Sequence, residues 1–136
     1  MDPEREHSGL WEWLESPEPV LELDDEASVA EVLAALQERG FDARTVDLGP
    51  FSGKAELLQA LHGILELDEW FGFNWDALEE ALHGPGEEDS AGRVLVCTGF
   101  RQFQSRAPED AAIFLDILRT VASTPESGLR GCVLIP

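Results

Sequence analysis

The sequence predicts an α/β fold, a small parallel sheet of three to four strands packed with helices. Three observations predict it. Short apolar runs without alternation, VLVC at 94–97 and CVLI at 132–135, have the pattern of strands covered on both faces. Other segments place apolar residues at helical spacing. The two kinds of segment alternate along the chain, as parallel strands joined by crossover helices require. With 136 residues, of which 43% are hydrophobic, the chain is long enough for one domain with a core that needs no crosslinks.

The elements follow in order. Residues 1–17 are polar and acidic and read as a loosely attached arm, with Leu10, Trp11 and Leu14 on one side of a helical turn. Residues 18–136 read as a single domain. PVLEL at 19–23 is a strand candidate. Ser28 and Glu31 form an S-x-x-E capping box, which opens a helix carrying Val29, Val32, Leu33 and Leu36 on one stripe. Gly40 stands where a left-handed C-terminal cap is wanted. FDARTVDL at 41–48 is the second strand. Ser52 is the expected N-cap of the next helix, whose stripe is Leu57, Leu58, Leu61, Ile64 and Leu65.

ELDEWFGFN at 66–74 is a connector, and Gly72 supplies a backbone angle that other residues resist. A helix runs from Asn74 to about His83. GPGEEDSAG is a loop, and RVLVCTGF is the third strand. Pro108 suits the first turn of a further helix, with Ile113, Phe114, Ile117, Leu118 and Val121 as its stripe. GCVLIP is the fourth strand. The resulting order is β-α-β-α-α-β-α-β.

Charge narrows the function. There are 28 acidic residues against 9 basic ones, a formal net charge of −19. Such a chain repels nucleic acid and anionic membranes and attracts basic proteins, and it also stays soluble and monomeric. Direct nucleic-acid binding is disfavoured, because no basic patch exists to displace counterions. Cys97 and Cys132 lie in apolar runs and read as small buried hydrophobes rather than as a disulfide or reactive thiol. The N-terminus lacks the basic-then-apolar pattern of a signal peptide, and no run approaches the ~20 apolar residues of a spanning helix. A cytoplasmic location is expected.

Catalytic motifs are absent from the sequence. It holds no G-x-x-x-x-G-K-[ST] loop, no G-x-G-x-x-G and no G-x-S-x-G. Asp76 and Glu80 are carboxylates of the type used in acid/base catalysis, but acids are too frequent here for the pair to be informative. Glu79, Glu80 and His83 are close enough on a helix to approach one ion, without the further ligands that a zinc site needs. No enzyme activity, cofactor or metal is expected.

The helix after Asn74 carries the functional argument. At ~100° per residue, Trp75, Leu78 and Leu82 share one face, with Ala81 beside them. Asp76, Glu80 and His83 fall opposite, with Glu79 at the boundary. The helix buries one stripe and displays a row of carboxylates on the other. A solvated acidic face would look the same.

The local sequence adds to this. LDEWFGFNWDALEEALHG at 67–84 resembles the signature of the barstar family of ribonuclease inhibitors, and GFRQFQ at 99–104 follows the third strand where that family has a similar segment. The resemblance covers residues 42–136 and leaves 18–40 as an added β-α unit. It implies an intracellular α/β protein that binds one-to-one to a basic extracellular microbial ribonuclease, of guanyl-specific type, and blocks its active site. It also implies the binding residues. Trp70 and Phe71 match loop aromatics, Gly72 the glycine, and Asn74 the residue that opens the helix. Asp76 matches an acidic contact, and Glu80 falls on the central acid of the phosphate site. Glu79 falls on an aromatic contact, Ile117 on an apolar contact of the last helix, and Thr120 on an acidic one. Phe73 and His83 lie within the same segment and complete the expected face. Departures stand at Glu79, Glu80 and Thr120, and at 84–86, where GPG replaces an aromatic-bearing stretch. They leave open an immunity protein of the same fold directed at a different toxin.

Overall fold

The computed structural model describes residues 8–69, 71–84, 90–124 and 126–136. Its elements are α1 (Ser8–Glu15), β1 (Val20–Glu22), α2 (Val29–Glu38), β2 (Asp42–Asp47), α3 (Lys54–Ile64), α4 (Trp75–Leu82), β3 (Arg93–Thr98), α5 (Phe100–Arg106), α6 (Pro108–Ala122) and β4 (Leu129–Leu134). The four strands form one sheet in the order β1-β4-β3-β2, with every neighbour parallel.

The central strands explain the architecture. β3 and β4 are apolar at consecutive positions, so both faces of the sheet must be covered. Leu95, Cys97, Cys132 and Leu134 face a large core shared with α3, α4, α5 and α6. Val94, Val96 and Val133 face a second core shared with α1 and α2. The path from β2 through β3 to β4 moves across the sheet on the first face. The path from β1 to β2 returns across the whole sheet on the second face. Reversing both direction and face keeps one hand for all connections, as the twist of parallel strands demands. The edge strand β2 carries Asp42, Arg44 and Asp47, and such charges blunt an open edge. Arg44 also donates to the carbonyl of Ile64 at 2.6 Å and to Asp42 at 3.1 Å, which ties β2 to the end of α3.

The segment read as a loose arm is, from Ser8 onward, a docked helix. Leu10 is 2% exposed and Trp13 4%. Arg130 on β4 is the reason. Its guanidinium lies 4.3 Å from the Trp13 ring centre and donates to the carbonyls of Trp13, Ser16 and Glu18. One cation thus gathers carbonyls from the last turn of α1 and the residues just beyond it, that of Trp13 also accepting from the amide and hydroxyl of Ser16. Trp11, placed with Leu10 on one side of the turn, is half-buried, with the Arg39 guanidinium 4.1 Å from its ring centre.

Other local readings shift. Ser28 caps α2 as expected, accepting from the amide of Glu31 at 3.3 Å, and Gly40 beyond its end has φ +85°. Ser52 is not the cap of α3: Gly53 holds that position. Ser52 instead donates its hydroxyl and its amide to Glu56, which hold the Glu56 carboxyl below its ordinary value. The first amide of α3, from Lys54, is capped at 2.9 Å by Asp110 of α6. The third strand ends at Thr98, two residues earlier than expected, and the stretch 100–106 is α5, because Phe100 and Phe103 are both buried. On α6, Ile113 is 40% exposed, while Leu115, outside the expected stripe, is buried. Among the described residues, no helix is long and apolar enough to cross a membrane.

Two predictions follow from this packing. Gly131 has φ +154°, and a Cβ there would lie 2.1 Å from the Pro19 carbonyl oxygen and 3.0 Å from the Trp13 ring. Gly131→Ala should cost about 2 kcal/mol or more in urea unfolding, through overpacking and backbone strain together. The second concerns the thiols. Burial pushes the Cys97 thiol well up and the Cys132 thiol to about 12. Unfolded thiols ionise near about 8.5, so the stability they contribute is present below that pH and lost as pH rises beyond it. A thiol reagent should label neither cysteine until urea unfolds the chain, and a Cys97→Ala, Cys132→Ala double variant should show a shallower alkaline loss of stability.

Candidate functional site

α4 is positioned from both ends of its sequence logic. Asn74 is its N-cap, with the side-chain oxygen accepting from the amide of Ala77 at 2.8 Å. Leu78 and Leu82 are fully buried in the larger core, and α4 packs on α6. Trp75 is half-buried against the same core. Those contacts fix the rotation of the helix. Asp76, Glu80 and His83 are exposed, and Glu79 is half-buried. Asp76 lies in the first turn, where the helix dipole favours a negative charge. His83 is the C-cap, and its amide donates to the carbonyl of Glu79 at 3.1 Å.

The connector before α4 is built on strained backbone. Glu66 and Phe73 have φ of +53° and +50°, a region that non-glycine residues rarely occupy. Between them, Leu67 donates its amide to the carbonyl of His62 at 3.0 Å, and Phe71 donates to that of Asp68 at 3.2 Å. The Nε2 of His62 lies 3.0 Å from the Asp68 carbonyl oxygen, which only accepts, so this nitrogen carries a hydrogen. Gly72 does not have the positive φ expected of it, which falls on Phe73 instead; a Cβ at Gly72 would approach the Asn74 side-chain nitrogen to 3.0 Å. Phe71 is buried at 9% exposure, whereas Phe73 is 44% exposed. Their rings meet edge to face at 5.0 Å between centres. Between this connector and α4 runs a groove of about 300 Å³, lined by Leu67, Asp68, Phe71, Gly72, Ala77, Glu80 and Ala81. Its floor is apolar and its rim carries carboxylates.

Most of the expected face therefore comes together: Phe71, Gly72, Phe73, Asn74, Asp76, Glu79, Glu80 and His83 lie on one connector and the helix it feeds. Trp70 lies outside the described residues, as do most of the GPG stretch and the acidic loop after it. Ile117, expected both in the stripe of its helix and as a contact, is 8% exposed and belongs to the larger core. Thr120, on the same helix, is exposed. His62, given no role in the sequence analysis, packs here as well. Its ring lies 5.8 Å from Phe71 and 5.1 Å from Phe73, a packing partner carried by α3 that no local spacing reveals. Among the described residues, no group of three metal-ligating side chains is close enough to hold an ion.

The cap gives a direct test of how the helix is held. Asn74→Ala should cost about 1 kcal/mol in denaturant unfolding, the usual worth of an N-cap. Asn74→Asp should retain most of that stability.

No curated protein matches the chain. Among solved structures, a Walker-type ATPase of Pyrococcus abyssi superposes with a TM-score of 0.59 at 16% identity, over 98% of this chain and 44% of that one. At that identity the likeness is one of fold, and the chain spans less than half the length of that protein. A family model described as Barstar (barnase inhibitor) matches residues 41–132. That match takes in β2, the connector, the acidic helix and β3 through most of β4, and the chain belongs to the Barstar family.

Proposed function

We propose that the chain is an inhibitor of a microbial ribonuclease, binding it one-to-one and covering its active site with α4 and the connector before it. The observation that supports this most is the exposed row of Asp76 and Glu80 beside an apolar groove, in a chain of the barnase-inhibitor family. A ribonuclease must hold a phosphodiester, so its active site is lined with cationic donors. Carboxylates on a rigid helix accept charge-assisted hydrogen bonds in place of the phosphate. Because α4 is already capped and packed, little ordering remains to be done on binding. The net charge of −19 speeds encounter with a basic partner.

On this reading the protein is not an enzyme, acts in the cytoplasm as a monomer, and needs neither cofactor nor metal. Its sequence carries no phosphate-binding loop of the G-x-x-x-x-G-K-[ST] kind, which sets it apart from a nucleotide-hydrolysing use of the same fold. A second reading, an immunity protein against a different toxin, draws on particular residues. Glu79 stands where the family resemblance expects an aromatic, Thr120 where it expects an acid, and Ile117 is withdrawn into the core.

The test is an inhibition assay against barnase and other secreted guanyl-specific ribonucleases at two salt concentrations. Asp76→Ala and Glu80→Ala should each weaken inhibition by at least ~2 kcal/mol, with unfolding midpoints preserved. Association should slow markedly as salt rises. Full inhibition by both variants would remove the site. Wild-type protein that inhibits none of the panel would remove the ribonuclease reading, and recovery of a toxin lacking nuclease activity would favour the second one.

A further inference from the structure

Phe73 combines three properties that rarely coincide. It is a bulky residue at φ +50°, where a side chain costs on the order of 1 kcal/mol of backbone strain. It is also one of two large hydrophobic residues classed as exposed among those described, at 44%. And its ring is not loose, because it packs against His62 at 5.1 Å and Phe71 at 5.0 Å between centres. Folding does not require this arrangement. A glycine or asparagine would take the backbone angle with less strain and expose less apolar surface. The unfavourable backbone angle instead keeps a partly exposed aromatic ring at the surface, held against His62 and Phe71.

From this we infer that Phe73, held by His62, is a stacking platform for an arginine guanidinium of the bound ribonuclease. The inference rests on the inhibitor reading and adds to it a contact and its chemistry. The surroundings select the occupant. The connector and α4 also carry the exposed Glu69, Asp76 and Glu80, and Glu80 lines the groove that Phe71 and Gly72 line as well. A planar cation satisfies both features at once: its face lies on the ring while its edge pairs with a carboxylate. Lysine offers a point charge without the flat face, and an apolar side chain would leave the carboxylates unpaired. His62 is a positioning residue. It is anchored through Nε2 to the Asp68 carbonyl at 3.0 Å, and its ring supports both phenylalanines.

The experiment measures barnase association and dissociation rates with the full chain and with Phe73→Leu, His62→Ala, His62→Phe and Asp76→Ala. Leucine keeps apolar bulk at the same backbone angle and removes the π face. Phe73→Leu should weaken binding about fivefold or more, with the loss in the dissociation rate and little change in salt dependence. Asp76→Ala, by contrast, should also slow salt-sensitive association. His62→Ala should weaken binding in the same rate as Phe73→Leu, and His62→Phe should restore it. Thermal unfolding of each variant separates these effects from lost fold. Wild-type affinity in Phe73→Leu would overturn the platform and indicate an apolar contact at most. Equal weakening by His62→Ala and His62→Phe would overturn the positioning role. If Asp76→Ala weakens binding and Phe73→Leu does not, only this inference falls. If the wild-type chain binds neither barnase nor the wider panel, the inhibitor reading falls and carries it along.

Discussion

The seating of Leu78 and Leu82 in the larger core is the contact on which the rest of the molecule's chemistry depends. A helix of eight residues is too short to hold itself in water, so its stability and its rotation both come from what it packs against. With two fully buried leucines one turn apart and a half-buried tryptophan before them, α4 has one orientation available. Everything opposite that stripe is then forced outward, and the residues opposite are acidic. The exposed carboxylates follow from burial elsewhere on the same helix rather than from any attraction between them; as like charges four apart they repel slightly.

The sheet has two covers of different origin. The family match begins at residue 41, just before β2, and takes in the larger core with α3 to α6. The α1-β1-α2 portion precedes it, supplies the second core and adds a fourth strand beside β4. Its attachment is as specific as an internal contact. Arg130 gathers three carbonyls and a tryptophan face, and the missing side chain at Gly131 lets Pro19 approach β4. Burial lowers the Arg130 pKa from its ordinary value, yet the group remains charged at neutral pH, which is what the carbonyls require.

Much of this was legible because it is written locally. The strands VLVC and CVLI, the Ser28 cap, Gly40 and the Asn74 helix each rest on residues within a few positions of one another. The failures share the opposite property. Ser52 satisfies the local rule for a cap, but Asp110, far along the chain, reaches the first amide of α3 instead. α5 has only Phe100 and Phe103 to announce it, too few for a period, and it forms because both enter the core. His62 could not be placed beside Phe73 without knowing how the chain turns after α3, and that turn depends on two residues in unusual backbone conformations.

The separation of the two cores by a continuous sheet has a consequence for how such a molecule diversifies. Side chains on α1 and α2 touch one surface of β3 and β4, and the acidic helix answers to the other. Groups with no shared neighbours contribute to free energy nearly independently. The N-terminal layer is therefore free to drift in sequence without retuning the recognition surface, and that surface to chase a changing target without loosening the layer behind it.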